Sequence, residues 1–172
     1  SKASLEKGKS LKEIYTGVLE DVQKEAPGYE FSDDVQMTGK VQYFLCDING
    51  DGIQDLITGA ACWVDVFEAV NCRVYTCEET DTGYELKHVE GNVTLLDPRA
   101  ARDGNGLFYI EYSRGTGETW VYRMTLEDDS LVCRDTKERF IMGDSGWKEF
   151  HNSNKEPQWM DISNLKGLDD IS

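Results

Sequence analysis

The sequence predicts an α+β fold, mostly β, with one N-terminal helix packed on a curved antiparallel β-meander sheet. Two observations carry this. A 3.6-residue apolar period occurs only near the N-terminus, and every later apolar stretch is short, rich in β-branched and aromatic residues, and bounded by turn residues. No helical pattern separates these stretches, which favours hairpins over βαβ units.

The helix is expected over Leu11–Lys24, where Leu11, Ile14, Tyr15, Val18, Leu19 and Val22 recur at spacings of three and four. Ser10 and Glu13 form a capping box at its start, and Ala26-Pro27-Gly28 stops it. The first strand runs through Val41, Tyr43 and Leu45, and the second begins at Ile53, Leu56 and Ile57. Further strands are expected at Cys62–Phe67, Cys72–Cys77, Tyr84–Val89, Leu107–Tyr112, Thr119–Leu126 and Leu131–Arg134. Asp81-Thr82-Gly83, Asp103-Gly104-Asn105-Gly106, Arg114-Gly115-Thr116-Gly117 and Asp128-Asp129-Ser130 supply hairpin turns between them. The tail from Lys148 onward carries no readable period. Residues 1–9 read as a polar linker or cloning remnant, and 10–172 as one domain.

Eighteen basic against thirty-three acidic residues give a net charge of −15. Nucleic-acid binding depends on Lys and Arg neutralising phosphates, so that function class is excluded, and an anionic membrane surface is disfavoured for the same reason. No apolar run reaches the roughly 18 residues of a transmembrane helix. Because the chain does not begin with Met, an export signal or lipid anchor upstream is compatible with it. The five cysteines, Cys46, Cys62, Cys72, Cys77 and Cys133, are an odd set; Cys62 with Cys72 across a hairpin is the first candidate disulfide, set against a set of reduced, mostly buried thiols. With two His, His88 and His151, and no Cys-x-x-Cys pair, a zinc cage is not expected.

The segment Asp47-Ile48-Asn49-Gly50-Asp51-Gly52-Ile53-Gln54-Asp55 carries the most chemistry. Oxygen side chains stand at loop positions one, three, five and nine, with Gly52 at six to make the turn. Calcium takes six to eight oxygens, and alternate side chains of a tight loop point at a common centre. Three carboxylates so close repel one another without a cation.

This segment resembles the acidic loop shared by EF-hands, dockerins and FG-GAP-type β-repeats, and is most similar to FG-GAP loops and those of bacterial secreted lipoproteins, where strands flank it. The resemblance covers about twenty residues. It implies one calcium site with Asp47, Asn49, Asp51, the carbonyl of Ile53 and Asp55 as ligands. Position twelve, a bidentate Glu in EF-hands, is Thr58 here, which implies weak binding, roughly 10⁻⁵ to 10⁻³ M.

Gly143-Asp144-Ser145-Gly146 resembles the serine segment of chymotrypsin-like proteases, but Trp147 stands where that family has Gly, and the segment reads as a turn. Asn92-Val93-Thr94 is a glycosylation sequon. Trp63, Trp120, Tyr75, Tyr109, Tyr112 and Tyr122 are read as core or sheet-face residues. The expected function is therefore that of an extracytoplasmic, cell-surface or secreted bacterial domain, calcium-stabilised, binding a protein or glycan partner without turnover. The alternatives are a small hydrolase of the cell envelope using acidic residues, and a structural spacer.

Overall fold

The computed structural model describes residues 8–25, 36–64, 67–87 and 92–171. Helix α1 (Leu11–Glu25) forms where the period predicts it, and Ser10 Oγ accepts the Glu13 N–H at 3.1 Å, as a cap should. The expected stop at Ala26–Gly28 and the strand end around His88 lie outside the described residues.

Strands β1 (Gln36–Cys46), β2 (Asp55–Val64) and β3 (Phe67–Glu79) form consecutive antiparallel hairpins. β4 (Tyr84–Lys87) pairs with the end of β3, while β5 (Asn92–Ala100) pairs with β3 further back along the same edge. β6 (Leu107–Tyr112), β7 (Glu118–Glu127) and β8 (Ser130–Ile141) continue as hairpins, α2 (Ser145–Ser153) follows, and β9 (Met160–Asp161) returns to β1. The nine strands make one antiparallel sheet, ordered β8-β7-β6-β5-β3-β2-β1-β9, with β4 off that path. The fold is thus α+β and mostly β, with a break in the simple meander where β5 reaches past β4 to β3.

Three apolar clusters hold the layers. α1 buries Leu11, Tyr15, Val18, Leu19 and Val22 against Val41, Tyr43, Leu56 and Ala60, on one face of β1 and β2. On the opposite face Phe44, Ile57, Cys72 and Val74 share a cluster with Leu95, Leu107, Tyr109 and Met124. α2 brings Phe150 onto Ile110, Val121 and Phe140, on the outer side of β6 to β8. Strand alternation allows this layering: successive residues of β1 and β2 serve different clusters.

Several sequence expectations change. The chain reverses within the segment read as a strand from Cys62 to Phe67, with Val64 opposite Phe67. Of the turn-forming residue types only Asp65 falls there, so the apolar run hid the hairpin. Cys62 pairs in register with Ala69, and Cys72 with Gly59. That odd offset puts the two thiols on opposite faces of the sheet, and no disulfide joins them. All five cysteines are free, four buried and Cys133 exposed. β5 was not expected; it contains Pro98 at a register irregularity between Leu96 and Arg99, with Asp97 at φ +46°, where a strand tolerates proline. α2 was not expected either. Its N-cap is Asp144 of the Gly143–Gly146 segment, whose carboxylate accepts the Trp147 and Ile141 N–H groups, both at 2.9 Å.

Tyr15 links α1 to the end of the acidic loop. It is fully buried, and its hydroxyl donates to the Gln54 carbonyl at 2.7 Å. Tyr15→Ala is expected to destabilise the fold by about 3–5 kcal/mol through cavity formation, and Tyr15→Phe by only about 1 kcal/mol, measured by denaturant unfolding.

Candidate metal centre at the β1–β2 loop

The acidic loop is the connection from β1 to β2, so strands flank it on both sides and Thr58, at position twelve, lies fully buried within β2. Gly50 and Gly52 adopt φ +74° and +82°, a conformation that L side chains rarely take, and this lets the chain wind tightly. The winding is held by side chains accepting backbone N–H groups. Asp47 Oδ1 accepts from Asn49 at 3.2 Å and Gly50 at 2.8 Å, and its Oδ2 accepts from Gly52 at 2.8 Å. Asn49 Oδ1 accepts from Asp51 at 3.3 Å, and Asp51 Oδ1 from Ile53 at 2.8 Å. These are successive Asx turns, which fix the side chains of positions one, three and five against the loop's own backbone.

Asp55 is placed differently. It begins β2, is 0% exposed, and its Oδ2 accepts the Ile48 N–H at 2.8 Å while Oδ1 accepts the Thr76 hydroxyl of β3. Desolvation pushes its carboxyl up to about 7, against the lowering effect of those two hydrogen bonds, and the negative charges of Asp51 and Asp47 push the same way. Cys46, one residue before the loop, is raised to about 12, chiefly by burial and secondarily by Asp55 and Asp47. Among the described residues Asp55 makes no ion pair with a basic side chain.

A second loop supports the first. Gly106 N–H donates to the Asp47 carbonyl at 2.9 Å, and the side chain of Asn105 stands 3.4 Å from where a Cβ on Gly50 would be. Asn105 Oδ1 is buried there without a hydrogen-bond partner. Neither Thr76 nor Asn105 is visible as a participant from sequence spacing. Only the Asp103-Gly104-Asn105-Gly106 turn hinted at a second polar loop.

The donor chemistry fits a hard cation: three carboxylates, one side-chain amide oxygen and the Ile53 carbonyl within nine residues. Each hydrogen-bonded carboxylate oxygen retains a further acceptor site. Among the described residues, however, no three acidic, His or Cys side chains are gathered as closely as a metal cage requires. Asp47, Asn49 and Asp51 lie in the loop itself, and Asp55 is buried at the start of β2.

The remaining chemical suspect, His151, lies on α2 and not in an unstructured tail. Its Nδ1 is 2.8 Å from the Trp147 carbonyl and its Nε2 hydrogen-bonds the Asp97 carboxylate, with the Trp147 ring 4.0 Å away. Both ring nitrogens face acceptors, so this ring fastens α2 to the β5 bulge and presents no free nitrogen to Ser145.

The raised Asp55 pKa makes stability depend on pH. A carboxyl whose folded value lies above its unfolded value contributes stability in full below about pH 4, and loses it as pH rises through about 7. In EDTA, wild-type stability is expected to fall across that window by on the order of 4 kcal/mol relative to Asp55→Asn. Parallel urea titrations of the two proteins between pH 4 and 8 check this; identical slopes would refute it.

No family model, no curated protein and no solved structure matches the chain.

Proposed function

We propose that this chain is a non-catalytic binding domain of the bacterial cell surface or a secreted protein, and that one calcium ion at the β1–β2 loop stabilises it. The observation that carries this reading is the uncompensated charge of Asp55. Buried carboxylates are paired with a cation or coordinate a metal, yet the charged groups acting on this one are Asp51 and Asp47, of its own sign. A cation held by Asp47, Asn49, Asp51, the Ile53 carbonyl and Asp55 supplies the missing positive charge. It lowers the carboxylate pKa and locks the corner between β1 and β2.

The missing twelfth-position carboxylate places the affinity in the weak range, which suits the millimolar calcium outside cells. A clamp of that kind stabilises a scaffold and does not sense a signal. A carboxyl with a raised pKa can also mark a catalytic acid, but Asp55 is wholly enclosed and out of reach of a substrate. The exposed aromatic available to a protein or glycan partner, Trp63, stands 41% exposed at the far end of β2 from the loop. Calcium and partner therefore act at opposite ends of the same strand.

The test is a thermal melt in millimolar calcium against EDTA, repeated with Asp51→Ala. At a hundredfold excess over Kd, calcium is expected to add about 2.7 kcal/mol, a rise of roughly 5–10 °C for this length, and Asp51→Ala to abolish most of it. Calcium should also flatten the pH slope attributed to Asp55. Coincident melts at pH 7.5 would remove the calcium site and leave Asp55 as a buried structural carboxyl.

A further inference from the structure

Two hollows share Ala100, at the end of β5, and Lys155, beyond α2. The larger, of about 570 Å³, is lined by Ala100, Ala101, Arg102, Asn152, Ser153 and Lys155. The smaller, of about 310 Å³, shares Ala100 and Lys155 with it and continues along Tyr43, Phe44, Pro157 and Met160. Their common wall is rigidly built. Ala100 and Lys155 form an isolated antiparallel bridge, with the Ala100 N–H donating to the Lys155 carbonyl at 3.1 Å. Asn154, itself buried, accepts the Arg102 N–H on Oδ1 at 3.3 Å and Arg99 Nη1 on its carbonyl at 3.4 Å.

The charges are unusual for a chain of net charge −15. Arg102 and Lys155 line one hollow with no acid among its lining residues, and among the described residues neither forms an ion pair. They are not needed to satisfy the last turn of α2, because the Phe150 carbonyl already accepts both the backbone N–H and the Nδ2 of Asn154, at 3.1 and 3.2 Å. Asp103, next to Arg102 in the chain, is engaged by Arg123 at 2.9 Å, and salt screens charges beyond about 10 Å at 0.1 M. Glu156 lines the smaller hollow and disfavours a negative head there, which fixes the direction in which a ligand enters.

We propose that these hollows form one binding site for a small amphipathic anion. Its carboxylate lies between Arg102 and Lys155, and its apolar body rests on Phe44, Pro157 and Met160. The cationic pair gives charge-assisted hydrogen bonds to the head, and the apolar lining gives area burial to the body, so neither part alone binds well. The site uses none of the loop ligands and is independent of the calcium reading.

The experiment is an amide NMR titration of the full chain with octanoate, octanamide and acetate, on wild type and on the Arg102→Ala/Lys155→Ala double variant. Octanoate is expected to shift the amides of Ala101, Arg102 and Lys155 and to bind about tenfold or more tightly than either of the other two. The double variant, altered only at exposed side chains, should keep its remaining spectrum and lose about tenfold in octanoate affinity. Acetate or octanamide binding as well as octanoate would overturn the two-part site. So would octanoate shifts that are absent from this region, or unchanged in the double variant.

Discussion

The corner where β1 turns into β2 depends on one buried carboxylate. Asp55 holds the Ile48 N–H on one oxygen and the Thr76 hydroxyl on the other, so the loop's inner end and the adjacent strand β3 are fixed by the same group. Ile48 is carried into the cluster that Phe44 and Ile57 share with Leu95. Two residues before Asp55, Ile53 packs against the α1 cluster. Removing the carboxyl would leave a buried N–H unsatisfied, while keeping it charged leaves a buried charge opposed by Asp51 and Asp47. A proton relieves that conflict, and under the calcium proposal a cation would do the same, so pH and calcium would then compete for one carboxylate.

From that corner the rest of the sheet follows by alternation. β1 and β2 send one set of side chains to α1 and the other to the inner cluster, so a slip of one residue would exchange both cores at once. The register is irregular at three places: between Met37 and Val41 in β1, around Asp97 and Pro98 in β5, and between Trp120 and Tyr122 in β7. The Asp97 bulge has a use of its own. It carries the carboxylate that His151 and Arg99 hold, and so docks α2 on the outer face.

Much of this architecture was legible in local pattern. α1 and its cap, the strand at Leu107–Tyr112, the strand either side of the acidic loop and the turns after Asp81 and Asp103 all follow from period and turn chemistry that neighbouring residues decide alone. What escaped depended on distant partners. β5 contains a proline and reads as a loop until β3 and β6 pair with it. α2 has only nine residues, below the length at which an isolated helix is stable, and forms because Asp144 caps it and Phe150 finds Ile110, Val121 and Phe140. The hairpin between Val64 and Phe67 carried no glycine or asparagine to announce it. Most instructive is Asp55, which the loop resemblance placed in a ligand set and which the fold hydrogen-bonds to Thr76, twenty-one residues away.

The overall acidity then has a more specific meaning than solubility. Charge on the loop is concentrated in side chains already engaged by backbone N–H groups, which hold them in place before any ion arrives, so little conformational entropy remains to be lost on binding. Affinity at such a loop is limited by ligand number and not by disorder. The Arg102–Lys155 hollow is built on the same plan with opposite sign: its wall is fixed by Asn154 and the Ala100 bridge before a ligand enters. Both places pair a backbone frame held by hydrogen bonds with charges that, among the described residues, form no ion pair, and that combination, not the net charge, is what recommends them as the two proposed sites.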